Sequence, residues 1–247
     1  MALSYGGKMV VTEKFYIGYR DVDANLNIKN SAILNIFEDI AGIHASQVGE
    51  SIKDSDTTWL LTGYKVKIFK RPQYEDRLVV DTWGTEIKSI TASREFEIRS
   101  ESGEVLIIGL SNWVHINLRS KKIEKVSEKI AKSYEIEPEK TNFGETKLEK
   151  LKSLESFEYE KEYTIDWNWI DANDHMNNVF YMDLADIVLP DEISKENIFT
   201  SFEIMYKKEI KYKDKVKCLY SEAVGESTIV IKSMEDDEIH SIIKLYR

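Results

Sequence analysis

Apolar and polar residues alternate with a period of two in several stretches of the chain, and that period predicts strands. In Arg94-Glu95-Phe96-Glu97-Ile98-Arg99 the apolar residues occupy every second position, and Val216, Cys218 and Tyr220 repeat the spacing. Residues 59–69, 78–83 and 105–118 are read as strands as well. The last is apolar almost throughout, as expected of a strand buried on both faces. Elsewhere the period changes. Ile33, Ile36, Phe37, Ile40, Ala41, His44 and Val48 recur at spacings of three and four, drawing one apolar stripe along a helix. Asn30 or Ser31 can cap its first turn, and Gly49 suits its exit. A second, shorter helix is predicted from about 178 to 189, ended by Pro190. Between about 118 and 156 the chain turns to Lys, Glu and Ser and contains Pro138 and Gly144. That stretch reads as a solvated connector with a short helix over 127–133.

The flanks of the connector resemble each other. Asp23-Ala24-Asn25-Leu26-Asn27-Ile28-Lys29-Asn30 matches Asp171-Ala172-Asn173-Asp174-His175-Met176-Asn177-Asn178, and in both a strand-like segment leads in and a helix follows. Further on, Tyr74-Glu75-Asp76-Arg77-Leu78 matches Tyr212-Lys213-Asp214-Lys215-Val216. This is the mark of a tandem repeat of one strand–helix–strands module, an α+β arrangement. The expected division is a first domain over 1–130, a linker over 131–156 and a second domain over 157–247. The copies have diverged where it matters chemically: His175 faces Asn27, and Glu209 faces Arg71. Acid–base groups, if used, belong to the second copy.

Composition narrows the function classes. Of 247 residues 42% are apolar, enough to bury a sizeable core, which excludes wholesale disorder. With 34 Lys and Arg against 44 Asp and Glu the net charge is −10, the wrong sign for a nucleic-acid-binding domain. One cysteine, Cys218, excludes an internal disulfide and any multi-cysteine metal site. The longest strongly apolar run, 105–110, falls far short of the ~20 residues that span a bilayer. Residues 1–11 lack an apolar core of the kind a secretory signal needs, so a cytoplasmic protein is expected.

The candidate chemistry concentrates in the second copy. Asp171, Asn173 and His175 stand two apart in a polar loop, and in extended chain alternate side chains share a face. The helix after Asn177 would offer unpaired N–H groups to a developing oxyanion. The same residues are also good turn and cap formers. Glu209 lies in a strand-like run, 204–216, where it reads equally as a solvated carboxylate among lysines; Glu203 is its rival. His44 and His115 are expected in the core and His240 at the surface, and no His-x-x-x-His spacing suggests a metal. Cys218 reads as a small buried hydrophobe. Nucleophile-elbow, P-loop and dinucleotide motifs are absent. The six lysines within 207–217 read as a solvated face, or as a place where an acidic partner docks.

These residues together resemble the acyl-(acyl carrier protein) thioesterases, plant and bacterial enzymes built of two tandem hot-dog domains. The most specific piece is Asp171-x-Asn173-x-His175-x-Asn177-Asn178 followed by Tyr206-Lys207-Lys208-Glu209. Trp59-Leu60-Leu61-Thr62, Pro72-x-Tyr74-x-Asp76-x-Leu78-x-Val80-x-Thr82-Trp83 and Trp113-Val114-x-x-Asn117-x-Arg119 fit in order. The resemblance implies two antiparallel sheets, each wrapped around a helix, and hydrolysis of an acyl thioester to free fatty acid and carrier-protein thiol. It carries the catalytic set onto Asp171, Asn173, His175 and Glu209, and gives the first domain the acyl pocket. Where some accounts of the family place a cysteine after the glutamate, this chain has Ile210, which favours water as nucleophile. The implied partner is acyl carrier protein, whose phosphopantetheine arm brings the substrate. No cofactor, metal, nucleic acid or membrane is expected, and the chain would be a monomer or homodimer. The alternatives are an acyl-CoA thioesterase of the same fold and a non-catalytic acyl-binding protein.

Overall fold

The computed structural model describes residues 10–196 and 199–247. Residues 1–9, and with them most of the stretch read for a signal, lie outside the described residues. Two compact units divide the chain: one holds the residues up to Ile28 together with Ile33–Leu148, the other Lys29–Ala32 and Glu149–Arg247.

In the first unit, β1 (Val11–Tyr16) is followed by α1 (Asn30–Gln47), then β2 (Thr57–Ile68), β3 (Arg77–Lys88), β4 (Thr91–Ser100), β5 (Val105–Asn117) and the short α2 (Glu128–Ser133). The strands pair antiparallel in the order β1-β3-β4-β5-β2. The second unit has β6 (Tyr159–Thr164), α3 (Phe180–Val188), α4 (Asp191–Glu196), β7 (Ser201–Tyr206), β8 (Lys215–Ala223), β9 (Glu226–Ser233) and β10 (Ile239–Tyr246). Its order, β6-β8-β9-β10-β7, is the same topology element for element. The repeat read from two short matches thus extends to the whole module. Each unit is an antiparallel sheet with a helix on one face, the α+β hot-dog architecture that the resemblance implies.

Packing explains why α1 lies where it does. Phe37 stacks on Phe96 of β4 with centroids 4.2 Å apart and tilts against Tyr64 of β2 at 6.0 Å. The ring reaches that depth because Gly109 of β5 has no side chain. A Cβ there would meet Phe37 Cζ at 2.8 Å and Cε2 closer still. Beside it runs a buried polar layer: Arg94 donates from Nη1 to Thr82 Oγ1 and faces His44 Nδ1, each at 3.0 Å. Burial, with Arg94 alongside, drives the His44 pKa down to about 3, so the imidazole is neutral and Nδ1 can accept.

The opposite face of this sheet is covered by the Lys- and Glu-rich stretch after α2. Trp83 Nε1 donates to Lys140 O at 2.7 Å, Asn142 Nδ2 to Phe96 O at 3.0 Å, and Ser93 Oγ to Thr146 O at 2.6 Å. That cover is why β5 is buried on both faces from Leu106 to Ser111. A stretch read as a connector in solvent is therefore fastened to the sheet by side chains of each that reach backbone carbonyls of the other. In the second unit Leu151 and Phe157 likewise pack on Leu219, Val230 and Ile242. Beneath the first cover sits Glu95, fully buried, its pKa pushed up to about 8 by burial.

Two expectations follow. Gly109→Ala forces the Phe37 ring out of its stack and should lower stability by about 1–3 kcal/mol in chemical denaturation, the usual range for overpacking. Glu95 binds its proton more tightly folded (about 8) than at its ordinary 4.5, so its contribution is complete below about pH 4.5 and lost as pH rises through 8. Glu95→Gln should match the parent near pH 4.5 and exceed it by about 2–4 kcal/mol above pH 8.5, in paired unfolding curves across that range.

Candidate active site

The leading strand β6 ends at Thr164, and a 3-10 turn, Trp167–Trp169, carries the chain across to the polar loop. The turn is fixed by three stacked rings. Trp169 lies between Tyr163 (4.9 Å, 5°) and Phe180 (5.0 Å, 2°). Asn177 N then donates to Trp169 O at 2.9 Å and closes the loop at its base.

Within the loop the chain turns back on itself. Asp171 N donates to His175 O at 2.9 Å, and Asp174 N to Asp171 O at 3.1 Å. Asp174 takes a left-handed φ of 66°, a conformation that Asp tolerates better than most residues. Asp171 and His175 therefore meet through a tight turn, not through the alternation of an extended strand. Asp171 Oδ1 accepts from Asn173 N at 2.8 Å, and Oδ2 from Asn173 Nδ2 at 3.2 Å. His175 Nδ1 lies 3.6 Å from Asp171 Oδ1 and 3.4 Å from Met176 O. Both neighbours are oxygen acceptors, so the proton of a neutral imidazole belongs on Nδ1 and Nε2 keeps its lone pair. The side chains of His175 and Asp171 are 14% and 21% exposed, sheltered yet within reach of solvent.

The start of α3 differs from expectation. Val179 N donates to Asn177 Oδ1 at 2.9 Å, Phe180 N to Asn177 O at 3.1 Å, and Met182 N to Val179 O at 3.1 Å. These N–H groups are consumed by the turn that launches the helix. Asn173 is left as the side-chain donor of the loop.

Glu209 also stands differently. The strand-like run breaks after Tyr206, and residues 207–214 connect β7 to β8. Met176 N donates to Ile210 O at 2.7 Å, which lays this connection against the histidine loop one residue from Glu209. The Glu209 carboxylate is 53% exposed and pairs with Lys211 Nζ at 3.1 Å. Its rival Glu203 remains on β7, in register with Lys244. Three of the other lysines of the run are also neutralised or stacked: Lys208 by Asp236 and Glu238, Lys217 by Asp237, and Lys213 against Tyr212. Among the described residues no group of three or more His, Cys, Asp or Glu side chains could hold a metal ion, and no helix is long and apolar enough to cross a membrane.

The first unit repeats this framework without its chemistry. Asp23 N donates to Asn27 O at 2.8 Å, Leu26 is left-handed at φ 64°, and Ile28 N donates to Pro72 O at 2.9 Å. The lower turn is duplicated as well: Asp76 Oδ2 accepts from Gln73 N, as Asp214 Oδ2 does from Lys211 N. At the place of Glu209 is Arg71, which donates to Ile28 O at 2.8 Å.

Two residues near the loop escape a sequence reading. His240, expected at the surface, is only 3% exposed and faces Lys208 O at 3.2 Å. Tyr181, an ordinary member of the apolar face of α3, directs its hydroxyl to the same carbonyl at 3.3 Å. His240 lies at a bulge of β10 between Ile239 and Ser241, and burial runs unbroken from His240 to Ile243, so alternation marks neither it nor Tyr181.

Cys218 is buried on β8 and its pKa is pushed up to about 12 by burial. It should stay unmodified by a thiol-specific disulfide reagent at pH 8 in the native protein and react at once on denaturation; rapid native labelling would contradict this.

Comparison with known proteins gives a consistent result. The model of the acyl-ACP thioesterase N-terminal domain matches residues 8–134, and that of the acyl-ACP thioesterase C-terminal domain residues 152–246. A chloroplastic oleoyl-acyl carrier protein thioesterase of Coriandrum sativum is 26% identical, over 89% of this chain and 64% of its own. The chain thus spans a little over three fifths of the length of such curated relatives. The structure of a 12:0-ACP thioesterase from Umbellularia californica superposes with a TM-score of 0.83 at 20% identity, covering 97% of each chain. That of an acyl-ACP thioesterase from Bacteroides thetaiotaomicron gives 0.82 at 21%, covering 96% of this chain and 97% of its own. At such identities the structural likeness is one of fold.

Proposed function

The chain belongs to the acyl-ACP thioesterase family, and from that premise we propose that it hydrolyses fatty acyl thioesters of acyl carrier protein through Asp171, Asn173, His175 and Glu209. The observation that carries this reading is the 2.7 Å hydrogen bond from Met176 N to Ile210 O, which sets the Glu209 segment beside the histidine loop. Each step then has a group of suitable chemistry. His175 Nε2 and the Glu209 carboxylate draw the proton from a water as its oxygen adds to the thioester carbonyl. Asp171, 3.6 Å from Nδ1, holds the ring and favours the imidazolium that forms. Asn173 keeps one amide hydrogen on Asp171 and has a second for the tetrahedral oxyanion. Collapse breaks the C–S bond, and the proton held by the histidine passes to the departing thiolate. Water is the nucleophile in this scheme because Ile210 follows Glu209 and the Cys218 thiol is buried and protonated.

The Lys211 ion pair fits this role. Its two partners are both more than half exposed, so it can be exchanged for a water and a substrate as the site fills. The names of the relatives point to carrier-protein esters of different acyl chains, oleoyl in one and 12:0 in another. Carrier protein, not chain length, is what they share.

Glu209→Gln and His175→Ala should each lower kcat on acyl carrier protein thioesters by about 100-fold or more, the usual worth of a positioned acid–base group. Near-normal turnover in either variant would refute the assignment. A kcat/KM on the acyl-CoA equal to that on the carrier-protein ester of the same chain would shift the substrate to coenzyme A.

A further inference from the structure

Glu209 sits on a stretch of chain that no strand holds, yet the reaction requires its carboxylate to be steady. In the described structure the main chain immediately before it is gripped by two buried side chains. His240 Nδ1 faces Lys208 O at 3.2 Å; since a carbonyl can only accept, Nδ1 carries the hydrogen. Tyr181 donates its hydroxyl to the same oxygen at 3.3 Å. The peptide oxygen just before Glu209 is thus held by two side chains that are 3% and 2% exposed.

The first unit provides an internal control. There the backbone path is the same: Phe69 N and Lys70 N donate to Leu106 O, just as Lys207 N and Lys208 N donate to His240 O. Leu106 therefore stands where His240 stands, and continuing the match of the two loops places Ile33 at the position of Tyr181. The fold closes with leucine and isoleucine in the copy that carries Arg71. Only in the copy that carries Glu209 are these sites polar. A buried hydroxyl and a buried imidazole each bring a desolvation cost that an aliphatic residue avoids, so the framework alone does not call for them.

Resting on the reading of Glu209 given above, we propose that His240 and Tyr181 are positioning residues of the thioesterase site, a clamp on the main chain that fixes the direction of the Glu209 carboxylate. Neither touches the reacting atoms. Their effect is on orientation, where a displacement of about 1 Å is enough to cost about 100-fold in rate.

The test uses His240→Leu, which installs the first unit's residue; His240→Asn, whose amide can replace Nδ1–H; and Tyr181→Phe, which removes a single oxygen and keeps the ring. Each is measured on acyl carrier protein thioester for kcat and KM separately, with thermal unfolding alongside. His240→Leu and Tyr181→Phe should lower kcat by about 10-fold or more with KM within about twofold, and His240→Asn should recover most of the loss. In a Glu209→Gln background the same substitutions should change the residual rate by less than about twofold, because there is no carboxylate left to aim. Unimpaired kcat in His240→Leu and Tyr181→Phe, or an equal loss with and without Glu209, overturns the clamp while Glu209 keeps its role. Near-normal turnover of Glu209→Gln itself overturns the underlying assignment, and the clamp with it. Should His240→Leu fail to fold, Tyr181→Phe decides the matter by the same criteria.

Discussion

One main-chain hydrogen bond organises the candidate site. Met176 N–H to Ile210 O joins two segments that are distant in sequence and outside any strand, and its 2.7 Å length brings the histidine loop and the glutamate-bearing connection side by side. The tight turn of Asp171 to His175, the ring stack under Trp169 and the launch of α3 from Asn177 all lie on one side of it. The break after β7 and the ion pair of Lys211 lie on the other. A buried or half-buried main-chain hydrogen bond of this sort is specific because an N–H or C=O removed from water has to be paired.

The first unit shows what this frame is worth without catalysis. Ile28 N and Pro72 O make the same bond, the same left-handed residue precedes it, and the same carboxylate caps the lower turn. The frame is therefore an element of the fold, made almost wholly of backbone atoms. Side chains at its corners are free to vary, and they do: asparagine for histidine, arginine for glutamate. In one copy the arginine closes the corner on Ile28 O; in the other the glutamate is left half exposed.

How much of this is legible in the residues depends on the range of the interaction. Strands with period two and the stripe of α1 declare themselves because burial of one face acts locally on spacing. The repeat declares itself because turn-forming residues such as Asp23 and Asp171 are held by their own loops. The resemblance carried by Asp171, Asn173, His175 and Glu209 names a family to which the chain does belong. What the residues do not disclose depends on distant partners. Glu209 reads as part of the strand-like run 204–216, but the strand ends where Lys207 and Lys208 turn to His240 O. His240 looked exposed among acids, yet its ring faces inward to a carbonyl thirty-two positions away. The stretch after α2 reads as a connector because it is so polar; much of its hold on the sheet is through its carbonyls, which every residue has.

The strand order has a consequence for how such a chain reaches its folded form. In each unit the first strand in sequence occupies one edge and the second the opposite edge, so neither pairs with its neighbour in the chain. Tyr16 of β1 must wait for Arg77, and Thr57 of β2 for Asn117. Only the meanders, β3-β4-β5 in the first unit and β8-β9-β10 in the second, are joined by short reversals and can assemble from nearby contacts. Closure of the edges is a long-range step, slow by the entropy of the loops it draws in. During synthesis the leading strand and its helix leave the ribosome before the partners that will cover them exist, a burden the chain meets once in each half.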